Sequence, residues 1–418
     1  MDLKGKKVTA IGLARSGLAI AQLTHRLGGL ARISEQSDQK DKKDLWDHFP
    51  HKDQVQVEWG GHTRAFIQES DYVILSPGVR RDAPCVQWAK EKHIPVWGEI
   101  EFAYRFCKAP IVAVTGSNGK TTVSTLIREI LVRAGRKVIL CGNIGTPCSS
   151  YVLDCESKDI VVMEVSSFQL ESIVDFRPFV AVFLNFSQNH LDRHKDNEEY
   201  FQAKKRIFQN QTENDFAVLN FQDPLIQALH SDIKSKVVYF NEPGTGQNGK
   251  NPNHLAALKV AGIFQVDEKI SRQVVREFGG VEHRLEYVRC IRGVHFINDS
   301  KSTTAESGRW ALESISDPII MICGGRDKNI NFAPLRDLVS QKVKKMILIG
   351  EAKQKLKNTF GDVVNTKECT SLKEAVLAAQ KAAAQGDTVV LSPMCASFDM
   401  FKNFEERGTV FKELVGAL

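Results

Sequence analysis

Short apolar runs rich in Val and Ile recur along the whole chain, each closed by glycine or polar residues and followed by a stretch of helical periodicity. These runs read as strands at 8–13, 72–75, 137–140, 159–165, 179–184 and 216–219. A third series falls near 294–297, 319–322, 346–349 and 388–391. Strands and helices alternating in this way predict an α/β protein with mainly parallel sheets. The chain has 418 residues, more than one ordinary core holds, so about three domains are expected. Residues 1–98 read as a Rossmann-like domain, 99–280 as a central P-loop ATP-binding parallel sheet, and 281–418 as a second Rossmann-like domain. The segment 241–252 is rich in Gly, Asn and Pro and reads as an irregular connection.

The run Ile111-Val-Ala-Val-Thr-Gly-Ser-Asn-Gly-Lys-Thr-Thr122 has the order strand, glycine-punctuated turn, helix start. Backbone N–H groups of Gly116, Ser117, Asn118 and Gly119 can approach phosphate oxygens, and the following helix adds a positive partial charge. Lys120 can bridge the β- and γ-phosphates, while Thr121, followed by Thr122, can offer a hydroxyl to Mg²⁺. The usual spacing places a glycine where this chain has Val114, with Gly116 instead. A nucleoside triphosphate site is predicted.

Composition removes other classes. The net charge of +6 is spread along the chain, which is no nucleic-acid footprint, and the Lys342-Val-Lys-Lys345 run reads as solvated surface. Nine cysteines without a CxxC pair read as reduced intracellular thiols. Arg15 interrupts the first apolar run before a secretory region could form, and no run of about 18 apolar residues occurs. A cytoplasmic protein without membrane insertion is expected.

In the first domain, Gly12-Leu-Ala-Arg-Ser-Gly17 is similar to a dinucleotide fingerprint with Ala14 in place of its middle glycine. The second strand ends Ile33-Ser-Glu-Gln36, and Glu35 reads as a surface glutamate. This turn is expected to bind a nucleotide diphosphate, not necessarily NAD.

Further motifs identify a family. Glu164-Val-Ser-Ser-Phe-Gln-Leu-Glu171, Asn189-His-Leu-Asp-Arg-His194, Tyr200-Phe-Gln-Ala-Lys204, His283-Arg-Leu-Glu286 and Asn298-Asp-Ser-Lys-Ser-Thr303 resemble the Mur ligases. The tail, Leu391-Ser-Pro-Met-Cys-Ala-Ser-Phe-Asp-Met-Phe-Lys-Asn-Phe-Glu-Glu-Arg-Gly408, resembles the branch that adds D-glutamate. The resemblance implies ATP-dependent joining of D-glutamate to UDP-N-acetylmuramoyl-L-alanine through an acyl phosphate, in peptidoglycan precursor synthesis. It implies ATP and two magnesium ions, and a monomer is expected.

Residue by residue, the resemblance makes Glu164 a magnesium ligand, and His190 and Lys204, the latter as a carbamate, ligands of a second ion. Lys205 and Arg206 then read as solvated neighbours of Lys204, and His194 as a surface residue. Arg284 and Lys301 are implied to act on the phosphates or the transferring group, making chemistry conditional on domain closure, and Asp299 to accept ribose hydroxyls. Thr303, Lys328, Ser397, Phe398 and Phe404 match positions for D-glutamate. Ala14, Arg15, Ser16, Ser76, Gly78 and Asn143 match positions for the uridine-diphosphate substrate.

Two departures from the family pattern stand out. Gln36 occupies a position that often carries a basic diphosphate contact. Of two asparagines expected before Leu-Ala-Ala to contact adenine, Asn253 is kept, while Lys250 holds the first position and Asn251 is out of register. Two alternatives remain at this level: a ligase adding another amino acid, or glutamate to folate, and a nucleotide switch with an NAD-like regulatory domain.

Overall fold

The computed structural model describes residues 1–187, 193–243, 251–315, 318–327 and 330–418, with all their side chains except those of Asp44 and Glu306. The chain divides into two compact units, Met1–Phe278 and Gly279–Leu418.

The first unit contains two sheets, both wholly parallel. One runs in the order Gln56–Glu58, Leu30–Ser34, Lys7–Ile11, Tyr72–Leu75, Val96–Gly98. The other runs Lys236–Phe240, Phe216–Asn220, Val180–Phe183, Ile111–Thr115, Ile160–Glu164, Val138–Gly142. In both, strand order reverses beside the strand that precedes a glycine turn, and ligand crevices of parallel sheets open at that reversal.

Side-chain alternation splits the central sheet between two cores. Val112, Val114, Val162 and Val182 face helices Lys120–Arg133 and Pro252–Ile263. Ile111, Ala113, Val161 and Met163 pack on the opposite face with Ile100 and Phe102, in a core shared with Ile20, Leu23 and Ile33 of the first sheet's layer. Helix Lys120–Arg133 buries Val123, Leu126, Ile127, Ile130 and Leu131, a stripe at helical spacing.

The second unit carries a mixed sheet in the order Glu286–Ile291, Val294–Asn298, Thr388–Leu391, Ile319–Gly324, Val343–Ile349, Asn365–Glu368, with only the first pair antiparallel. The Lys342-Val-Lys-Lys345 run enters its strand Val343–Ile349. Among the described residues, no helix is long and apolar enough to cross a membrane.

Every apolar run read as a strand is one. The strands the pattern did not reveal, Gln56–Glu58, Val96–Gly98, Lys236–Phe240, Glu286–Ile291 and Asn365–Glu368, all stand at sheet edges. An edge strand needs only one neighbour and stays partly wet, so its sequence need not be apolar. Pro252, expected inside the irregular connection, opens helix Pro252–Ile263.

Candidate active site

Parallel register sets the site of the first unit. Val114 pairs with Glu164, Gly142 with Glu164, and Thr115 with Phe183, so four strands end level. The phosphate loop, Glu164 and the turn holding Asn143 therefore meet at one edge of the sheet. Thr121 Oγ1 donates to Glu164 Oε2 at 2.7 Å, and Asn143 Nδ2 donates to Glu164 Oε1 at 2.7 Å. Glu164 is buried, and a buried carboxylate beside a threonine hydroxyl at the mouth of a phosphate loop fits a hard divalent cation such as magnesium.

The loop is braced from the next strand end. Asn185 accepts the Ser117 N–H through its carbonyl at 3.0 Å and the Asn118 N–H through Oδ1 at 2.9 Å. Ser117 Oγ donates to Ser187 O at 3.0 Å. Gly119 adopts φ +80°, and a β-carbon there would stand 2.4 Å from Asn253 Oδ1. Glycine takes this φ without strain and leaves room for the Asn253 side-chain amide. Asn253 thus lies over the loop, whereas the Asn251 side chain accepts the Asn253 N–H at 3.0 Å and caps the helix.

Two lysines converge on one carbonyl. Lys120 Nζ donates to Gly116 O at 2.9 Å and Ser117 O at 3.0 Å, and Lys204 Nζ donates to the same Gly116 O at 2.9 Å. Lys204 is buried, with its Nζ 4.6 Å from the centre of the Tyr200 ring. Burial, then the Lys120 charge, presses its amine well below the ordinary lysine range, with Glu164 pulling the other way. A buried amine biased toward its neutral form is a nucleophile toward CO₂.

His194 is not on the surface. It is buried, with Nε2 3.0 Å from Ser167 Oγ and its ring stacked on Phe168. Arg206 is half-buried rather than solvated, donating to Ile173 O at 2.7 Å, while Lys205 pairs with Asp232. Arg193 lies over the Phe168 ring and donates to Gly78 O and Val79 O at 3.1 Å each, tying the turn after strand Tyr72–Leu75 to the central sheet's layer.

In the first sheet, Ala14 precedes helix Arg15–Arg26 as its N-cap, and Ser76 Oγ donates to Gly12 O at 3.2 Å. Glu35, expected at the surface, is buried beneath this turn and accepts the Leu13 N–H and, at 2.8 Å, the Ser37 N–H. Burial opposes its ionisation, but these amide donors outweigh it and hold the carboxyl below its usual range.

In the second unit, the predicted residues gather at the C-terminal ends of adjacent strands. Asp299 follows Val294–Asn298, accepting from Leu285 N–H at 3.2 Å and Ser392 Oγ at 2.8 Å. Burial pushes its carboxyl up to about 7, against the Ser392 hydrogen bond and the Arg284 charge. Arg284 lies in a tight turn bridged to Val281, and Lys301 Nζ is 5.7 Å from the Phe404 ring centre. Thr303 is half-buried, Ser397 is buried and Phe398 is exposed, while Phe404 acts through its backbone, its carbonyl accepting Ser300 Oγ at 2.8 Å. His190 and Lys328 lie outside the described residues, as does Lys250.

Three family descriptions match successive stretches: Mur ligase MurD-like, N-terminal domain at 6–98, Mur ligase middle domain at 114–271, and Mur ligase, glutamate ligase domain at 283–395. The chain is 38% identical to the UDP-N-acetylmuramoylalanine–D-glutamate ligase of Thermoanaerobacter pseudethanolicus, with all of each chain covered. The chain belongs to the Mur ligases. The ligase of the same description from Pelodictyon phaeoclathratiforme is 39% identical, over 100% of this Mur ligase and 99% of that one. Among solved structures, UDP-N-acetylmuramate-alanine ligase from Thermotoga maritima matches with TM-score 0.59 at 17% identity over 99% of each chain. Escherichia coli FolC in complex with ADP matches with TM-score 0.57 at 17% identity, over 81% of this chain and 98% of that one. At such identities these two speak for the fold alone.

One residue of this Mur ligase that the sequence reading passed over is Arg407. It is 1% exposed, and it donates through Nε to Ser300 Oγ at 3.0 Å and through one Nη to Ser300 O at 2.9 Å and Cys395 O at 3.2 Å. A β-carbon on Gly325, at φ +142°, would stand 3.2 Å from its other Nη and 2.3 Å from Ala396 O. Arg407 therefore sits where the loops after three strands meet, beside Asp299, Lys301 and Ser397. Burial draws its guanidinium down to about 10. Its signal was present: positions 404, 407, 411 and 415 form one helical stripe, in which an arginine among Phe and Val marks a buried cation. Asn185 had no comparable signal, because its role follows from strand order.

Proposed function

We propose that this Mur ligase joins D-glutamate to UDP-N-acetylmuramoyl-L-alanine in the cytoplasm, with cleavage of ATP to ADP and phosphate. The observation that carries the reading is its likeness, over the full chain, to relatives named for that ligation. A free carboxylate is a poor electrophile because its leaving group would be oxide. Transfer of the γ-phosphoryl group to the substrate carboxylate gives an acyl phosphate, whose leaving group is phosphate. The D-glutamate amine then attacks, and the tetrahedral intermediate collapses to amide and phosphate. Both steps bring like charges together, so the protein must supply cations and positioning rather than a nucleophile.

The loop Gly116–Thr122 cradles the phosphates, and Lys120 turns from its carbonyls to the β- and γ-oxygens. Thr121 and Glu164 would hold magnesium, which would supply positive charge for phosphate oxygens, and Asn143 fixes the Glu164 carboxylate for that task. His190 and Lys204, the latter as its carbamate, would hold a second ion. The neutral Lys204 amine adds through its nitrogen to CO₂ and releases one proton, turning an uncharged group into an anionic oxygen ligand. Asn253 contacts adenine, and Ala14, Arg15, Ser16, Ser76 and Gly78 line the uridine-diphosphate turn. In the second unit, Asp299 accepts ribose hydroxyls, Arg284 and Lys301 serve the transferring phosphoryl group, and Thr303, Lys328, Ser397, Phe398 and Phe404 hold D-glutamate. The domains are 1–98, 99–280 and 281–418, and the ligase acts as a monomer.

The test is phosphate release with ATP, magnesium and UDP-N-acetylmuramoyl-L-alanine against a panel of D- and L-amino acids. D-Glutamate alone should support turnover. Activity with L-lysine, meso-diaminopimelate or L-alanine and none with D-glutamate would overturn the assignment.

A further inference from the structure

The turn Ser76–Val79 holds two of the positions matched to the uridine-diphosphate substrate, Ser76 and Gly78, and it is fastened on both sides. Toward the first sheet, the Ser76 N–H bonds to Ile11 O at 3.2 Å and Ser76 Oγ donates to Gly12 O at 3.2 Å. The Val79 N–H closes the turn on Ser76 O at 2.9 Å. The turn thereby rests against the glycine turn that leads into helix Arg15–Arg26.

Toward the central sheet, two guanidinium groups cross in opposite directions. Arg193, from the central layer, donates through Nη1 to Gly78 O and through Nη2 to Val79 O, at 3.1 Å each. Arg81, just after the turn, donates through Nη1 to Glu171 O at 2.7 Å. Arg193 is itself held in place, 14% exposed, with its guanidinium 4.6 Å from the centre of the Phe168 ring and Nη2 3.8 Å from Glu171 Oε2. The other Glu171 oxygen faces His194 Nδ1 at 3.5 Å. Phe168 and Glu171 stand on the segment that follows Glu164. The Val165 N–H bonds to Val114 O at 2.9 Å, and a reciprocal pair between Ser166 and Gln169 opens helix Ser167–Leu170. The carboxylate beside the phosphate loop and the groups that receive the two arginines are thus joined by a short, hydrogen-bonded stretch of chain.

We propose that Arg193 and Arg81 are positioning residues for the uridine-diphosphate substrate, holding the turn Ser76–Val79 in a set place relative to Glu164 and the phosphate loop. The inference rests on UDP-N-acetylmuramoyl-L-alanine being that substrate. With its carbonyls on a guanidinium, each of the peptide planes after Gly78 and Val79 is fixed, and so is the direction of the N–H group it shares. Neither arginine touches the reacting atoms. Without them the substrate must order the turn as it binds, a cost that appears in KM and not in the rate of the bound complex.

The experiment measures phosphate release by the full chain with each of the three substrates varied in turn, alongside Tm. In Arg193→Ala, KM for UDP-N-acetylmuramoyl-L-alanine should rise by about tenfold or more, while kcat and KM for ATP and D-glutamate stay within about twofold of the parent. Arg193→Lys brings one nitrogen to two carbonyls, and its KM should lie between. Arg81→Ala removes an exposed side chain and one bond, and should raise the same KM by about fivefold with Tm unmoved. Arg80→Ala removes a charge from the same segment, but Arg80 pairs with Asp82 at 2.9 Å and ties no layer, so this variant should match the parent. Unchanged KM for the UDP-linked substrate in Arg193→Ala and Arg81→Ala, an equal rise in all three KM values, or the same rise in Arg80→Ala would each overturn the proposal. Should Arg193→Ala fail to fold, Arg81→Ala decides alone. These outcomes leave the substrate assignment standing, whereas a parent chain that does not turn over UDP-N-acetylmuramoyl-L-alanine would overturn that assignment and the inference with it.

Discussion

Replacing Arg407 with alanine tests whether one buried guanidinium organises the second unit. The change removes three charge-assisted hydrogen bonds, to Ser300 Oγ, Ser300 O and Cys395 O. Ser300 Oγ keeps its bond to Phe404 O, but the two carbonyls lose a donor at a site that water does not reach. A buried carbonyl left unpaired costs about 1–3 kcal/mol, and the space vacated by the side chain adds about 1–2 kcal/mol. Relief from burying a charge offsets part of this. The net loss is about 3 kcal/mol, which in a unit of this size lowers Tm by roughly 10 °C. Calorimetry of the full chain should show that shift in the transition belonging to residues 279–418. The loops released are those of Asp299, Lys301 and Ser397, so KM for D-glutamate should rise by at least about tenfold at saturating ATP. Arg407→Lys keeps a charge but has one nitrogen to serve several acceptors, and should fall between. A Tm within about 2 °C of the parent, with unchanged KM for D-glutamate, would refute the reasoning.

Further predictions follow from the same geometry. Lys120→Ala should lower turnover on the order of 10³-fold with the fold kept, since its Nζ bonds carbonyls of the phosphate loop and not of the core; near-normal turnover would contradict its placement. Lys204→Ala should lose most activity and regain part of it with a small carboxylic acid that refills the oxygen ligand, whereas Lys205→Ala, paired to Asp232 elsewhere on the helix, should stay active. Rescue of neither lysine variant would remove the main support for the carbamate. Asp299 is raised to about 7, so its contribution favours the fold below its unfolded value and is lost as pH rises through about 7. Asp299→Asn should flatten that loss, at most about 4 kcal/mol between pH 4 and 8, measured by hydrogen exchange on peptides from residues 279–418. An identical pH profile in parent and variant would rule it out.

The parts legible in the sequence are those whose chemistry is local. The phosphate loop is a continuous string, and Glu164 and Asn143 each close a strand whose apolar run announces it. Their meeting follows from register, which a strand's residues do not encode individually. Edge strands such as Asn365–Glu368 escaped because solvent takes the place of a second neighbour. Buried charges escaped for the opposite reason. Glu35 looks like an ordinary surface residue until the Leu13 amide is brought to it from another segment, whereas Arg407 carries a sign of burial in the spacing of its helix but none of the carbonyls it serves. Asn251, out of register for the adenine motif, serves the start of the helix instead.

The contact between Gly119 and Asn253 also separates what is free from what is fixed in this chain's length. Strand Lys236–Phe240 stands at the edge of the central sheet, three places from Ile111–Thr115, a lateral distance of about 14 Å. Twelve residues, 241–252, can span at most about 40 Å, well beyond that lateral distance. The length of that connection is therefore not what places Asn253 over the phosphate loop; the room beside Gly119, which has no β-carbon, is.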